Sequence, residues 1–226
     1  MNLKAFAVAF ALTVLVFSSA FGQITKSGNA YLFRMKFVKG QTMNYAMNVT
    51  STIPGASKPQ TMSMPMSMTV TDVTNGIATI KYKMTSPMGG SKPQEITVKM
   101  DNTGKLVSGS APSMNGISAT LPKNPVAVGG SWKNTTSVPS GAAGNMNVTN
   151  TYKFLGFKTV NGKQVANISV SMSGKSSAIS VSGGGTMLLS VADGSMVNTA
   201  MNVDTSVSMQ GGTPMKMAMK VNMVRK

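Results

Sequence analysis

The sequence predicts a mainly β protein: an antiparallel curved sheet, either a half-barrel or a β-sandwich, built from a duplicated unit and preceded by an N-terminal signal-peptide helix. Three observations support this prediction. Apolar and polar residues alternate with period two in many segments, which is typical of strands with one buried face. Turn dipeptides, Asn-Gly above all, separate these segments and favour tight hairpins. Strong helix formers are scarce, and the chain has a single glutamate, Glu95.

Residues 1–22 have the three parts of a cleavable signal peptide. A short basic start is followed by the apolar stretch 5–17, and the small residues Ala20 and Gly22 fit a signal-peptidase site. The apolar stretch is shorter than the roughly 20 residues that a membrane-spanning helix needs, which disfavours an uncleaved anchor. We therefore expect a secreted protein, periplasmic or extracellular, that is cleaved near Gly22 and whose residues 23–226 form a single β domain.

Strand patterns follow one another in a similar order in the two halves of this domain. Alternation covers residues 43–49, 62–70, 78–84 and 96–100 in the first half, and 166–172, 187–191, 197–207 and 215–223 in the second. The matched features are residues 38–41 with 128–131, the dipeptide Asn75-Gly76 with Asn161-Gly162, and the turn 101–104 with Asp193-Gly194. The sequence therefore predicts pseudo-repeats at about 31–118 and 121–226, joined by the proline-containing loop 121–125.

The composition excludes most acid–base and metal chemistry. The chain has no histidine and no cysteine, so it lacks the usual general base, a thiol nucleophile, disulfides and a zinc ligand set. Its five carboxylates are Asp72, Glu95, Asp101, Asp193 and Asp204. Three of these, Asp72, Asp101 and Asp193, lie beside turn sequences, where aspartate is common. We expect neither an enzyme nor a cofactor.

The formal net charge of +16 favours anionic partners. The lysines are spread along the chain without a basic run, and aromatic residues are few, so no nucleic acid is expected as a partner. A solvated strand face explains the charge in the simplest way. Contact with an anionic envelope surface is the functional alternative.

Twenty-two methionines are the least ordinary feature of the composition. In segments 62–68 and 215–219 a methionine occupies every second position, so that in a strand these side chains share one face. Methionine surfaces adapt to varied apolar ligands, and this face is predicted to line a ligand cavity for a lipid or another apolar molecule. The predicted cavity residues are Met62, Met64, Met66, Met68, Met215, Met217 and Met219.

Two other interpretations of these methionines stay open. The pattern continues into Val70 and Val221, as it would in a plain core face. Thioethers also select Cu(I), and its ligands would be Met64, Met66, Met217 and Met219. Pro65 cannot donate to a strand ladder, so its strand is predicted to lie at an edge or to carry a bulge.

The spacing of Pro125, Gly129 and Trp132, followed by the hairpin Asn161-Gly162-Lys163, resembles that of uncharacterised secreted bacterial β-rich proteins. The resemblance covers most of residues 23–226 and implies a curved half-barrel similar to periplasmic lipoprotein or lipid carriers. The chain has no cysteine for lipid attachment and no clear cradle helix, so the resemblance transfers no functional residues.

The function that these observations favour is non-catalytic binding of an apolar or amphipathic ligand. A structural or cell-surface β protein with a methionine-rich core is the second reading, and a Cu(I)-binding protein is the third. The three differ in what the methionine face must do. A carrier needs a cavity, a structural domain needs a packed core, and a copper site needs sulfur atoms that converge.

Overall fold

The structure is a computed structural model that describes residues 24–52, 58–85, 93–109, 120–139, 145–208 and 214–226. The predicted signal peptide, residues 1–22, lies outside the described residues. Within the described ranges, no helix has the length and apolar character needed to cross a membrane.

The described part of the chain is almost entirely β-structure. Its strands are β1 (Thr25–Ser27), β2 (Ala30–Leu32), β3 (Thr42–Thr52), β4 (Gln60–Thr74), β5 (Ile77–Met84), β6 (Gln94–Met100), β7 (Leu106–Gly109), β8 (Ser131–Pro139), β9 (Asn145–Val160), β10 (Lys163–Lys175), β11 (Ile179–Ser190), β12 (Met196–Val207) and β13 (Met215–Arg225).

Eleven of these strands form one antiparallel sheet in the order β7-β6-β5-β4-β3-β13-β12-β11-β10-β9-β8, while β1 pairs with β2 in a small separate sheet. The outermost strands β7 and β8 are not paired with each other, so the large sheet does not close into a barrel. The prediction of a mainly β, antiparallel curved sheet is confirmed. Because the eleven strands form one continuous sheet and are not divided between two facing sheets, a half-barrel describes the architecture better than a β-sandwich.

The chain builds this sheet as two meanders that meet at its centre. Strands β3 to β7 run outward in chain order, and β8 to β13 run inward from the opposite edge, so that β13 pairs with β3. In the ladder between β13 and β3, Met223 lies opposite Met47 and Arg225 opposite Tyr45. The central ladder therefore joins residues that are far apart in sequence.

Each meander buries an apolar cluster on the inner face of the sheet. In the first cluster Val70, Ile80 and Val98 occupy opposed positions of three neighbouring strands. In the second cluster, Phe154, Ile168 and Met187 occupy opposed positions of β9, β10 and β11. Opposed residues of antiparallel neighbours share a face, so the alternation read from the sequence becomes a continuous apolar surface. Met35 and Met196 pack against both clusters and join them.

Residues 33–37, which we call the crossing segment, connect β2 to β3 over this inner face. Phe33 is fully buried in the second cluster. The Met35 N–H donates to the Asn102 carbonyl at 2.7 Å, and the Lys36 N–H donates to the Asp193 carbonyl at 2.8 Å. The segment is thus fastened to a turn in each meander.

Matched turns of the two halves have the same local geometry. Asn75 (φ 51°) and Asn161 (φ 49°) both adopt the left-handed conformation that an Asn-Gly hairpin turn requires. Asp101 and Asp193 each accept, through Oδ1, the backbone N–H of the residue two positions later, at 2.8 Å and 3.0 Å. The boundaries of the two pseudo-repeats stay a prediction.

For one pair of matched glycines, the structure shifts the correspondence between the two halves by one residue relative to the sequence match. Gly40 (φ 83°) donates to the Val70 carbonyl at 2.8 Å, and Gly129 (φ 84°) donates to the Phe154 carbonyl at 2.7 Å. Gly40 therefore corresponds to Gly129, whereas the sequence match places it opposite Gly130. Two consecutive glycines leave the sequence alignment ambiguous, and the positive φ with its hydrogen bond resolves it.

Pro65 lies in an interior strand rather than an edge strand, since β4 has β3 on one side and β5 on the other. The ladder with β5 ends where Met66 faces Met84. The Pro65 carbonyl accepts the Thr85 N–H at 3.2 Å, so the proline nitrogen also faces the β5 side, beyond the end of that ladder. The hydrogen bond that Pro65 cannot donate would fall at the end of this ladder, which explains why proline is tolerated in an interior strand. The bulge of this strand lies further along, next to Val70.

Strand β11 contains a run of three glycines where β12 approaches closely. A Cβ atom on Gly183 would lie 2.6 Å from the Asn202 carbonyl oxygen, and one on Gly185 would overlap the Ala200 carbonyl oxygen more severely. A Cβ atom on Gly184 would have its nearest neighbour at 3.5 Å, an ordinary contact. Glycine at alternate positions therefore permits the close approach of β11 and β12.

Candidate functional site

A cavity of about 280 Å³ lies on the inner face where the two apolar clusters meet. Its walls come from β3 to β7, from β11 to β13 and from the crossing segment. Ten of its eighteen lining residues are methionines. These are Met35, Met43, Met47, Met66, Met68, Met84, Met100, Met187, Met196 and Met223. The volume is just below the roughly 300–1,000 Å³ that is usual for small-molecule sites.

The strand register explains why methionines converge here. Met43 faces Met68 across β3 and β4, and Met66 faces Met84 across β4 and β5. Opposed residues have Cβ atoms about 4.5–5.5 Å apart, so each pair forms a continuous patch of thioether side chains. Since Met47 faces Met223 across β3 and β13, the patch extends over the central ladder.

The predicted residues of β4 divide between the cavity and the rest of the strand. Met66 and Met68 line the cavity. Met64 is half-buried opposite Met47 and is not among the lining residues. Met62 is 39% exposed, near the start of the strand. The cavity thus uses the end of the methionine run that leads into the core.

The predicted residues of β13 lie away from this cavity. Met215, Met217 and Met219 are half-buried. Met217 borders a separate polar depression together with Asp204 and Lys216. The residue of this strand that lines the methionine cavity is Met223.

The four methionines of the Cu(I) reading form two separate pairs. Met64 faces Met47 of β3, whereas Met219 faces Ser51 of the same strand. Four residues of strand correspond to about 14 Å, twice the spacing of alternate residues on one face. The register therefore does not bring Met64 and Met66 together with Met217 and Met219.

Eight lining methionines were not among the predicted site residues. Met43, Met47 and Met100 belong to strand patterns that the sequence shows, but nothing local marks them as cavity residues rather than core residues. Met35 precedes β3 in the crossing segment and has no strand pattern at all. Only the way the sheet curves, and the path of the crossing segment, place these side chains around one space.

A polar corner, formed by Asp193, Ser195 and Arg225, adjoins this apolar lining. Asp193 Oδ1 accepts the Ser195 N–H at 3.0 Å and the Ser195 hydroxyl at 2.6 Å. Asp193 Oδ2 pairs with Arg225 at 3.1 Å, and Arg225 also donates to the Ser195 hydroxyl oxygen at 2.6 Å. Asp193 and Ser195 line the cavity, so the corner meets any ligand bound there.

The polar corner keeps Asp193 ionised. Burial acts to raise the pKa of this carboxyl, but the hydrogen bonds from Ser195, Ser190 and Arg225 outweigh burial and hold the pKa below its ordinary value. An ionised carboxylate whose two oxygens are both engaged is a structural anchor and a poor proton donor. Within the described ranges, no three histidine, cysteine, aspartate or glutamate side chains are grouped to hold a metal ion.

Two tyrosines, Tyr45 and Tyr82, also line the cavity. Burial raises the pKa of Tyr45 to about 12, with smaller opposing effects of the Arg225 and Asp193 charges. Burial, with a smaller contribution from Tyr45, raises the pKa of Tyr82 to about 12. Both hydroxyls therefore stay protonated at neutral pH and can donate hydrogen bonds.

These tyrosines make the protein sensitive to alkali. A pKa that is raised in the folded state gives stability that is fully present below the unfolded pKa of about 10 and is lost as pH rises through the folded pKa. We expect stability to fall between pH 10 and about 12, and to fall less in the double variant Tyr45→Phe/Tyr82→Phe. Urea unfolding at a series of alkaline pH values measures this. An equal loss in both proteins would contradict the burial of the two hydroxyls.

Comparison with known proteins gives little information about the function of this half-barrel. No protein-family model matches the sequence. No curated protein matches it at a significant level. A crystal structure described as a "putative lipoprotein" from Parabacteroides distasonis is similar over 83% of this chain and 94% of that chain, at 10% identity and a TM-score of 0.41. A likeness at this level carries no argument about function.

Proposed function

We propose that the protein is a non-catalytic binder of an apolar or amphipathic ligand, secreted to the periplasm or the extracellular space. One observation carries the proposal: the cavity of about 280 Å³ whose lining is mostly methionine. Methionine is flexible and polarisable, so a methionine-lined cavity can adapt to ligands of different shape. A structural domain with a methionine core would be expected to fill this space, because protein interiors are close-packed.

The chemistry of the lining supports binding rather than catalysis. Asp193 is ionised and engaged by Ser195 and Arg225, so it offers no free acid or base. The tyrosines, with pKa values raised to about 12, stay protonated near neutral pH and so cannot act as general bases.

The outer face of the sheet supports the further proposal of contact with an anionic envelope surface. Exposed lysines on the outer face include Lys83, Lys99, Lys153, Lys216 and Lys220. We expect vesicles with anionic lipids to bind the protein at low salt and to release it as salt is raised, since exposed charges are screened. Equal binding to neutral vesicles would contradict this.

Filling the cavity tests the main proposal. Met66→Phe adds bulk to a lining residue, and Met62→Phe adds the same bulk on the same strand and face, outside the cavity. We expect Met66→Phe to weaken binding of the uncharged fluorescent probe N-phenyl-1-naphthylamine about tenfold or more, a loss of about 1.4 kcal/mol. Met62→Phe should leave the affinity unchanged.

The outcome separates the three functional readings. Equal probe binding by both variants would place the apolar site elsewhere, and no binding by the unsubstituted protein would favour the structural reading. A stoichiometric Cu(I) adduct would instead support the metal-binding function. If the adduct persists in Met66→Leu and is lost in Met64→Leu/Met47→Leu, the copper ligands are the facing methionines Met47 and Met64.

A further inference from the structure

We propose that the ligand of the methionine cavity carries an anionic, hydrogen-bond-accepting head group, a carboxylate on an apolar chain, and that the hydroxyls of Tyr45 and Tyr82 donate to it. This inference rests on the proposed function and specifies the class of ligand. Its first support is that both tyrosines are buried, at 5% and 7% exposure, and line the cavity.

Neither hydroxyl has a strong acceptor in the described part of the protein. The Tyr45 hydroxyl donates to Met43 Sδ at 3.7 Å, and a thioether is a weak acceptor. The structure gives the Tyr82 hydroxyl no hydrogen bond to a described residue, and Tyr45 is the neighbour that acts on it electrostatically. The methionine lining offers these hydroxyls weak acceptors at best, so a ligand oxygen within reach of them would be stabilised.

The polar corner disfavours a cationic head group. The charged residues of the lining are Lys36 and Asp193. The Asp193 carboxylate is already engaged by Ser195 and Arg225, so its capacity to accept from a ligand is largely used. Arg225 is engaged in the same ion pair, so the corner offers little to a cationic ligand. Hydrogen bonds from the tyrosine hydroxyls to an ionised acceptor are roughly twice as strong as those to a neutral one, which favours a carboxylate.

The register gives the ligand a direction. Tyr45 faces Arg225 of the polar corner across β3 and β13. On its other side Tyr45 faces Met66, the start of the methionine patch that continues through Met84. A head group at Tyr45 and Tyr82 would therefore place its chain among the methionines. The volume of about 280 Å³ lies near the lower end of the range for small-molecule sites, which favours a chain of medium length.

A matched ligand series tests the head group on the unsubstituted protein. Displacement of N-phenyl-1-naphthylamine is measured with decanoate, 1-decanol and methyl decanoate at pH 7.5, where the carboxylate is ionised. We expect decanoate to bind at least tenfold more tightly than the other two. Equal affinities for the three would overturn the inference while leaving the proposed function intact. No probe binding and no displacement by any of them would count against the proposed function itself.

Substitution of the tyrosines tests which groups donate. Tyr45→Phe and Tyr82→Phe should each reduce decanoate affinity about threefold to tenfold, and the double variant should remove the preference for decanoate over decanol. Tyr31→Phe, in the second apolar cluster, is the control and should retain the preference. A preference that persists in the folded double variant, verified by near-ultraviolet circular dichroism, would overturn the role of the tyrosines.

Discussion

Gly185→Ala is expected to lower the free energy of unfolding by more than about 3 kcal/mol, the largest effect of any single methyl group that we predict. The added Cβ would overlap the Ala200 carbonyl oxygen and crowd the Met201 Cα, both of which are backbone atoms of β12. Backbone atoms cannot rotate away as a side chain can, so the two strands must separate. Separation at this point would disturb Met201, which lies opposite Gly185 and packs against the second apolar cluster. Urea unfolding followed by tryptophan fluorescence measures the loss.

The neighbouring glycine provides the matched control. A Cβ on Gly184 meets no atom closer than 3.5 Å, so Gly184→Ala adds the same methyl group to the same strand without a clash. Alanine in place of a compatible glycine stabilises a protein by about 0.4–1 kcal/mol through the unfolded state. We expect Gly184→Ala to be neutral or slightly stabilising. Similar unfolding midpoints for the two variants would contradict the close approach of β11 and β12.

Asp193→Asn is expected to cost about 2 kcal/mol at neutral pH, the second largest effect. The asparagine amide cannot compensate the charge of Arg225. Both side chains of the native ion pair are mostly buried, with Asp193 19% exposed and Arg225 29% exposed. The cost is below that of breaking a fully buried pair because water still reaches Arg225. The carbonyl of the substituted side chain can still accept from Ser195, so the turn itself should survive.

The effect of Asp193→Asn should depend on pH. A pKa that is lowered in the folded state gives stability that is present above the unfolded pKa, about 3.9 for aspartate, and is lost as pH falls through the folded pKa. The variant should therefore converge with the unsubstituted protein in acid. Asp101→Asn is the control, because Asp101 makes the same two turn contacts, and Arg34 acts on it only through longer-range electrostatics, without an ion pair among the described residues. Equal costs at pH 7 for both variants would contradict the role of Arg225.

The sequence predicts what local pattern can determine. Period-two alternation located the strands, and the dipeptides Asn75-Gly76 and Asn161-Gly162 located two hairpins that the structure confirms. Pairing between distant strands leaves no such local mark. The ladder that sets Arg225 opposite Tyr45, and with it the polar corner, depends on how the two meanders meet.

The sequence predicted the chemical character of the candidate site better than its position in the fold. The methionine runs pointed to an apolar site, and Met66 and Met68 do line the cavity. The methionine run in β13 follows the same local pattern but does not line the cavity. The register places Met219 opposite Ser51, whereas the cavity residue Met223 lies opposite Met47. Asp193 reads as a turn residue and is one. Its partner Arg225 lies 32 residues away, beyond any local signal.

The central claim is that the methionine cavity holds a ligand, and native mass spectrometry of the protein purified from the organism that produces it tests this claim most directly. We predict a co-purified apolar molecule of a few hundred daltons that is retained in Met62→Phe and lost in Met66→Phe. Detection of the bare polypeptide mass in the unsubstituted protein, before and after decanoate is added, would contradict the account and leave the structural reading in first place.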